Sequence, residues 1–369
     1  MKIPMVSFAR LSRFANSIGV AALLGSLVAT VLLSSSAFAG PQGTAGNFLD
    51  GGVGRPMGIF TGAQVAAMRG ASEDLYATNW NTDTNGATYT PGNIAAAPNI
   101  PGQGNWQYVP AGVTGSMPDN YAILANRPAG SSSPNAQAFE MNGADNANYP
   151  RVMYQDLSSQ WAARTAGNDI CWAAFEGYMD GTPSNSGNRT GGVLYGTNGT
   201  DSYQMTGMMT EFGTANGGSQ GASTVQYSVF GWAYATSGTV TENYRFLLSG
   251  QPTGPGGGIS PISPLANSGG WTEYLMNWNQ TTGAVNWFYS VDGGANYYGF
   301  DVDGAGAGFN VLEWTWLSHE ATGTTNANAI YGDLAVSTAS SVPEPSTSCM
   351  ALAGLACSGY VLFRRRKRA

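Results

Sequence analysis

Short runs of β-branched and aromatic residues, separated by turn residues, recur along the chain from Trp106 to Val336. The longest run, TVQYSVFGWAYAT over residues 224–236, alternates between two sets of side chains, as expected of a strand with two different faces. Two turn dipeptides typical of hairpins are Asp292-Gly293 and Asp303-Gly304. Many short strands without helices between them predict an all-β fold, an antiparallel β-sandwich of the jelly-roll type, over residues 104–338.

Apolar residues at helical spacing are sparse. The segment from Thr61 to Ala77, TGAQVAAMRGASEDLYA, is the exception and predicts one short helix. Around it, residues 40–103 are rich in Gly, Asn and Pro and offer little apolar surface to bury. We therefore expect this segment to be an irregular, partly ordered leader.

The N-terminus has the three parts of a secretory signal peptide. Lys2, Arg10 and Arg13 precede an uncharged run over residues 18–33, and Ala37 and Ala39 form an A-x-A cleavage site. Residues 1–39 are therefore predicted to be a signal peptide that the Sec translocon exports and signal peptidase removes.

The C-terminus combines three further features. A linker over residues 339–345 contains Pro343, Glu344 and Pro345, and residues 346–369 follow as a hydrophobic segment that ends in the basic cluster RRRKR. Basic residues next to a short apolar helix are typical of a cytoplasmic membrane boundary. This order resembles the PEP-CTERM sorting signal. The resemblance implies an exosortase, a membrane transpeptidase, as partner. It also implies a transient anchor in the inner membrane before transfer to the cell surface or extracellular matrix.

The net charge of the chain between its two ends limits the classes of molecule that can be its partner. Between residues 40 and 345, seven Arg and no Lys stand against twenty-two acidic residues, a net charge of −15. Such a surface repels phosphate backbones, which argues against nucleic acid as a partner.

Counting reactive side chains excludes most catalytic and metal sites. His319 is the single histidine, and Cys171 is the single cysteine between residues 40 and 345, so zinc sites built on these residue types are excluded. Glu176 and Asp180 share a strand face, but nothing specifies the paired carboxylates that glycoside hydrolysis needs. We therefore predict no catalytic residues.

Calcium is the candidate cofactor. The predicted oxygen ligands lie in NTDTNG and DVDG: Asn81, Asp83, Asn85, Asp301 and Asp303. Either stretch can also be a simple polar turn, which is the interpretation we favour.

Aromatic residues recur beside carboxylates on the same predicted strand faces. The candidate carbohydrate-binding residues are Trp172, Glu176, Tyr178, Trp232, Tyr234, Trp314 and Trp316. Rings stack on the C–H faces of sugars while polar groups bond to hydroxyls, but core packing between two sheets would use the same residues. Both interpretations stay open.

The order of the strands also resembles concanavalin-A-like (laminin-G-like) lectin domains over residues 104–338. GQGNWQYVPAG matches their opening strand, SVDGGANYYG their hairpin and AIYGDLAVS their closing strand. The first hypothesis is therefore an exported, non-catalytic sandwich that binds or organises extracellular polysaccharide. The alternatives are a glycan-cleaving enzyme, glycosidase or lyase, on the same fold and a structural adhesin.

Overall fold

The structure is a computed structural model, and the parts of the chain that it describes are as follows. They are residues 49–108 without 54 and 71, 121–142, 151–180, 188–197, 199, 202–213, 226–237, 240–249, 270–302, 308–320 and 328–340.

Strands dominate the described residues. In chain order they are β1 (Leu49–Val53), β2 (Arg55–Thr61), β3 (Ser72–Thr78), β4 (Gly92–Asn93), β5 (Gln107–Tyr108), β6 (Tyr121–Leu124), β7 (Ala138–Met141), β8 (Arg151–Asp156), β9 (Ile170–Asp180), β10 (Asn188–Thr197), β11 (Ser202–Gly213), β12 (Gln226–Ser237), β13 (Val240–Leu247), β14 (Trp271–Asn279), β15 (Val285–Ser290), β16 (Asn296–Val302), β17 (Val311–Glu320) and β18 (Asn328–Ala339). Two helices, α1 (Gly62–Arg69) and α2 (Ser158–Ala163), and a 3-10 turn at Gln103–Asn105 complete these parts of the chain.

The strands pair into two sheets. Among the described residues, one sheet has eight strands in the order β1-β13-β12-β11-β10-β17-β8-β5. The other has ten, in the order β2-β16-β15-β14-β9-β18-β7-β6-β4, with β3 also paired to β18. Every pairing is antiparallel except that of β1 with β13. The predicted all-β, antiparallel sandwich is confirmed.

The main core lies between the two sheets and is filled by every second side chain of the strands. In β12, Val229 and Ala233 belong to the main cluster of buried side chains, whereas Phe230 and Trp232 belong to a second cluster on the outward face. Gly231 also points inward, where a Cβ would lie 2.5 Å from the Trp287 ring. The sheets approach so closely at this position that only glycine fits.

The predicted leader differs from the structure. Residues 49–103 contribute four strands and α1, and β2 and β3 pair with strands of the ten-stranded sheet. The single helix expected over residues 61–77 ends early, because Gly70 adopts a φ of +65° and breaks it. The remainder, SEDLYAT, forms β3 instead of continuing the predicted helix, and it buries Leu75 and Tyr76.

Several predictions fall outside the described residues. These are the signal peptide with Ala37 and Ala39, the motif Pro343-Glu344-Pro345, the hydrophobic segment 346–369 and the calcium candidate Asp303. Across the described ranges, neither helix has the length and apolar character needed to cross a membrane.

Candidate functional site

A groove of about 670 Å³ opens on the outward face of the ten-stranded sheet. Strands β9, β14 and β18 form its floor. Helix α1 and the start of β3 form one wall, and the segment with Ser132 and Ser133 forms another.

Alternation in β9 and β14 decides which side chains line this floor. Phe175 and Tyr274 point into the core and stack on each other, with ring centroids 4.7 Å apart. Their neighbours Glu176 and Glu273 therefore point outward, and the two are paired directly opposite each other across the strands. The small side chains of Ala174 and Ala335 leave the space that the groove occupies.

Glu176 is a buried carboxylate with three hydrogen-bond donors. It accepts from Arg127 Nη1 at 3.0 Å, from Ser131 Oγ at 2.8 Å and from Ser132 Oγ at 2.6 Å. Gly332 makes room for it, since a Cβ at that position would lie 2.1 Å from Glu176 Oε2. A buried charge needs such partners to offset its lost hydration, so Glu176 is held in one orientation.

Arg127 joins two carboxylates at one end of the groove. Its Nη2 donates to Asp333 Oδ1 at 2.5 Å, and its guanidinium lies 5.6 Å from the centre of the Trp271 ring. The Arg127 side chain is 4% exposed, whereas that of Asp333 is 40% exposed. Asp333 therefore keeps a surface that a ligand can reach while Arg127 fixes its position.

Glu273 lies at the other side of Glu176 and accepts from the Tyr297 hydroxyl at 2.5 Å. Burial raises the pKa of Tyr297, and the hydrogen bond and negative charge of Glu273 raise it further. Tyr297 thus remains a neutral donor at physiological pH. Within the described residues, Glu273 forms no ion pair.

The aromatic candidates do not form one platform. Trp172 belongs to β9 in the ten-stranded sheet, whereas Trp232, Tyr234, Trp314 and Trp316 belong to β12 and β17 in the eight-stranded sheet. The single exposed face that we expected is therefore absent from the described residues.

Burial corrects the same expectation. Trp172, Trp232 and Trp316 are only 3–4% exposed. Trp172 stacks on Phe288, and Trp316 stacks on Tyr195 with ring centroids 4.6 Å apart. Rings this deeply packed have no face available to a sugar.

The remaining candidates are partly buried and lie apart from one another. Tyr178 packs against Trp271, Tyr234 against Phe309, and Trp314 against Tyr154. Of all the proposed carbohydrate-binding residues, only Glu176 lines the groove.

The calcium candidates have protein partners. Asp83 Oδ1 accepts from the backbone N–H groups of Asn85 and Ala87, and Oδ2 accepts from the Tyr89 hydroxyl, each at 2.9 Å. Asp301 accepts from Arg55 through both carboxylate oxygens. Among the described residues, no group of three or more His, Cys, Asp or Glu side chains is placed to hold a metal ion.

His319 and Cys171 lie in the packed interior. His319 is 1% exposed, and its Nδ1 lies 3.0 Å from both Thr190 Oγ1 and the Arg189 carbonyl oxygen. Cys171 is fully buried, which raises the pKa of its thiol and disfavours the reactive thiolate.

Sequence reasoning missed most of the groove. Glu273 could have been found from its alternation with Tyr274 in WTEYLMNW, as Glu176 was. No local signal identifies Arg127, Asp333 or Ser132. Arg127 and Ser132 meet Glu176, and Asp333 meets Arg127, only after distant segments come together.

Comparisons with known proteins identify one part of the chain. Residues 341–367 match the PEP-CTERM protein-sorting motif, which confirms the resemblance found at the C-terminus. A search of curated proteins finds no match.

Solved structures show distant similarity. An alginate lyase from Klebsiella pneumoniae is 10% identical, with a TM-score of 0.36, over 56% of this chain and 83% of that one. A non-specific endo-beta-1,3(4)-glucanase is 12% identical, with a TM-score of 0.37, over 80% and 97%. The binding domain of botulinum neurotoxin DC is 10% identical, with a TM-score of 0.37, over 77% and 51%. We draw no functional conclusion from similarities this distant.

Proposed function

We propose that this chain, which carries the sorting motif of an exosortase-processed surface protein, binds polysaccharide in the groove without cleaving it. The observation that carries the proposal is the row of hydrogen-bonding side chains along the groove floor. Glu273, Glu176 and Asp333 lie on the neighbouring strands β14, β9 and β18. Tyr297 donates a hydrogen bond to Glu273, and Arg127 donates one to Asp333.

This row suits the chemistry of sugars. Hydroxyl groups both donate and accept hydrogen bonds, and the groove offers carboxylate acceptors beside the hydroxyl of Ser132. Leu275 and Ala174, which are both partly exposed, supply apolar surface for the C–H faces of a sugar ring. Because the polar side chains are already held by protein contacts, little entropy is lost when a ligand binds.

The contacts of Glu176 favour binding over cleavage. Glycoside hydrolysis needs one carboxyl group that protonates the leaving oxygen and a second that attacks or activates water. Glu176 already accepts hydrogen bonds from Arg127, Ser131 and Ser132, so its oxygens are directed at protein donors. It is thus a positioned part of the groove floor rather than a free acid or nucleophile.

One observation favours a second candidate, a glycan-cleaving enzyme. Glu176 and Glu273 are direct cross-strand neighbours on one face, for which Cβ atoms lie about 4.5–5.5 Å apart. Retaining glycosidases place their two carboxyl groups about 5–5.5 Å apart, a separation that the side chains of two such neighbours can reach.

The test uses two matched substitutions. Glu273→Gln removes a groove carboxylate, and Glu140→Gln makes the same change in β7, on the outward face of the same sheet but outside the groove. In the control variant, the hydrogen bond that Asn328 Nδ2 donates to residue 140 is kept, because glutamine also has an Oε1 atom. Binding would be measured on an array of neutral, amine-bearing and uronate polysaccharides.

We expect Glu273→Gln to weaken polysaccharide binding about five- to tenfold, since a hydrogen bond to a charged group contributes about 1.5–3 kcal/mol and one to a neutral amide about 0.5–1.5 kcal/mol. Glu140→Gln should bind as the unmodified protein does. Unchanged binding in Glu273→Gln would refute the groove. New chain ends released from a polysaccharide, and lost in Glu273→Gln, would establish the enzyme instead.

A further inference from the structure

We propose that the end of the sandwich at which β18 finishes is the surface that the membrane transpeptidase contacts when it processes the Pro-Glu-Pro motif. We call this surface the β18 rim and define it as residues 72–74, 164–170 and 279–282. The proposal depends on the sorting motif and is independent of what the groove binds.

The end of β18 is fixed within its sheet. Its last residue, Ala339, pairs with Ile170 of β9 on one side and Ser72 of β3 on the other. Ser337 and Thr338 are fully buried, and Arg69 donates to Ser337 Oγ through Nη2 at 2.7 Å. Peeling this strand away would expose buried groups on both sides, so the strand end stays in place while the motif is processed.

The connection to the sorting motif is short. The match to the motif begins at residue 341, and Pro343 is four residues beyond Ala339. Four fully extended residues span at most about 13–14 Å. An enzyme that encloses this tripeptide in an active site therefore works within about 13–14 Å of the strand end, close enough for its own surface to contact the β18 rim.

The rim is held by a network centred on Arg164. Its Nη2 donates to Asp169 Oδ1 at 3.0 Å and to Gln280 Oε1 at 2.8 Å, and its guanidinium lies 3.9 Å from the centre of the Trp161 ring. Glu73 accepts from the backbone N–H of Thr165 at 2.8 Å and so ties β3 to the same loop. The surface is therefore preformed and can be recognised without rearrangement.

The chemistry of the rim fits a polar protein surface rather than lipid. The described large apolar side chains that are exposed are Met57, Ile59, Met68 and Ile100, and none of them belongs to the rim. Arg164 pairs with Asp169 within it, and Glu73 and Asp74 leave the rim with an excess of negative charge. The rim thus offers charged groups and amides to the partner, with no apolar anchor for the bilayer.

The experiment places the same obstacle at two ends of the sandwich. A small folded domain inserted between Ala166 and Gly167 occupies an exposed turn of the rim, and one inserted between Gly293 and Gly294 occupies the hairpin at the other end of β15. Each full-length chain would be expressed in its host, and the rate of motif processing measured by pulse-chase and mass spectrometry. A third chain combines the rim insertion with about fifteen Gly/Ser residues after Ser340.

We expect the rim insertion to slow processing at least tenfold, the hairpin insertion to leave it unchanged, and the added linker to restore it. Processing of the rim insertion at the original rate would overturn the proposal, as would failure of the linker to restore processing in a protease-resistant chain. Should the insertion prevent folding, deletion of residues 340–342 provides a second test. That deletion moves Pro343 against Ala339 and should stop processing, whereas replacing Ser341 and Val342 by Gly and Ser at unchanged length should not. Normal processing of the deletion variant, or equal loss in the replacement variant, also overturns the proposal.

Discussion

Gly332 shapes the groove because it has no side chain. It lies where the pairing of β18 with β9 shifts register, and a Cβ there would meet the Cβ of Glu176 at 2.8 Å and its Oε2 at 2.1 Å. These contacts are shorter than any that packed atoms tolerate. The glycine therefore permits the buried pair between Glu176 and Arg127.

Gly332→Ala should lower the free energy of unfolding by about 2–4 kcal/mol, because displacing Glu176 breaks a buried ion pair. Urea denaturation would measure the loss. The same substitution made together with Glu176→Ala should cost much less, since the clashing side chain is gone. Equal costs in the two backgrounds would contradict this account of Gly332.

Trp316 tests whether a buried aromatic residue contributes to stability or to polysaccharide binding. It is 3% exposed and stacks on Tyr195, so we expect Trp316→Ala to cost about 3–5 kcal/mol of stability, as large-to-small core substitutions do. Chemical denaturation and polysaccharide binding would be measured side by side. A variant of normal stability that no longer binds polysaccharide would return Trp316 to the binding site.

At the scale of elements, alternation in the sequence predicts faces but not neighbours. The strand over residues 170–180 and its two faces follow from the sequence, and Glu176 was found because it alternates with Phe175. Which strand lies beside this one depends on the order of strands in the sheet. Arg127 and Glu176, which form an ion pair, are 49 residues apart in sequence. Long-range pairs of this kind leave no periodic signal.

The segment 61–77 illustrates a different limit. The sequence correctly predicts a helix that begins after Thr61, which forms a capping box with Gln64. It does not predict that the apolar residues after Gly70 continue as a strand, because pairing with β18 outweighs a weak local preference. The sequence likewise does not show whether the aromatic residues of β9, β12 and β17 are buried or exposed. The same alternation is expected of side chains packed in a core and of side chains on an exposed binding face.

At the scale of the whole molecule, buried tyrosines should limit stability in base. Burial raises the pKa of Tyr154 and of Tyr274 to about 12, against about 10 in an unfolded chain. Between these values the unfolded chain releases protons that the folded protein keeps. Stability should therefore be complete below about pH 10 and fall as the pH rises towards 12.

Denaturant midpoints measured from pH 8 to 12, together with tyrosinate absorbance, would test this expectation. In Tyr274→Phe the decline with pH should be shallower, because one of the linked groups is removed. A midpoint that stays constant up to pH 12 in the unmodified protein would show that these hydroxyls ionise equally in both states.

The placement of β18 also governs when the domain can fold. It is the last strand of the described chain, yet it pairs with β9 on one side and with β3 and β7 on the other. Because synthesis proceeds from the N-terminus, the ten-stranded sheet stays divided until residues 328–339 have been made. Contacts between β3 and β18 span more than 250 residues, so their formation is slow and comes late. Folding is thus completed only when the chain has been made almost as far as the sorting motif, which begins two residues after β18 ends.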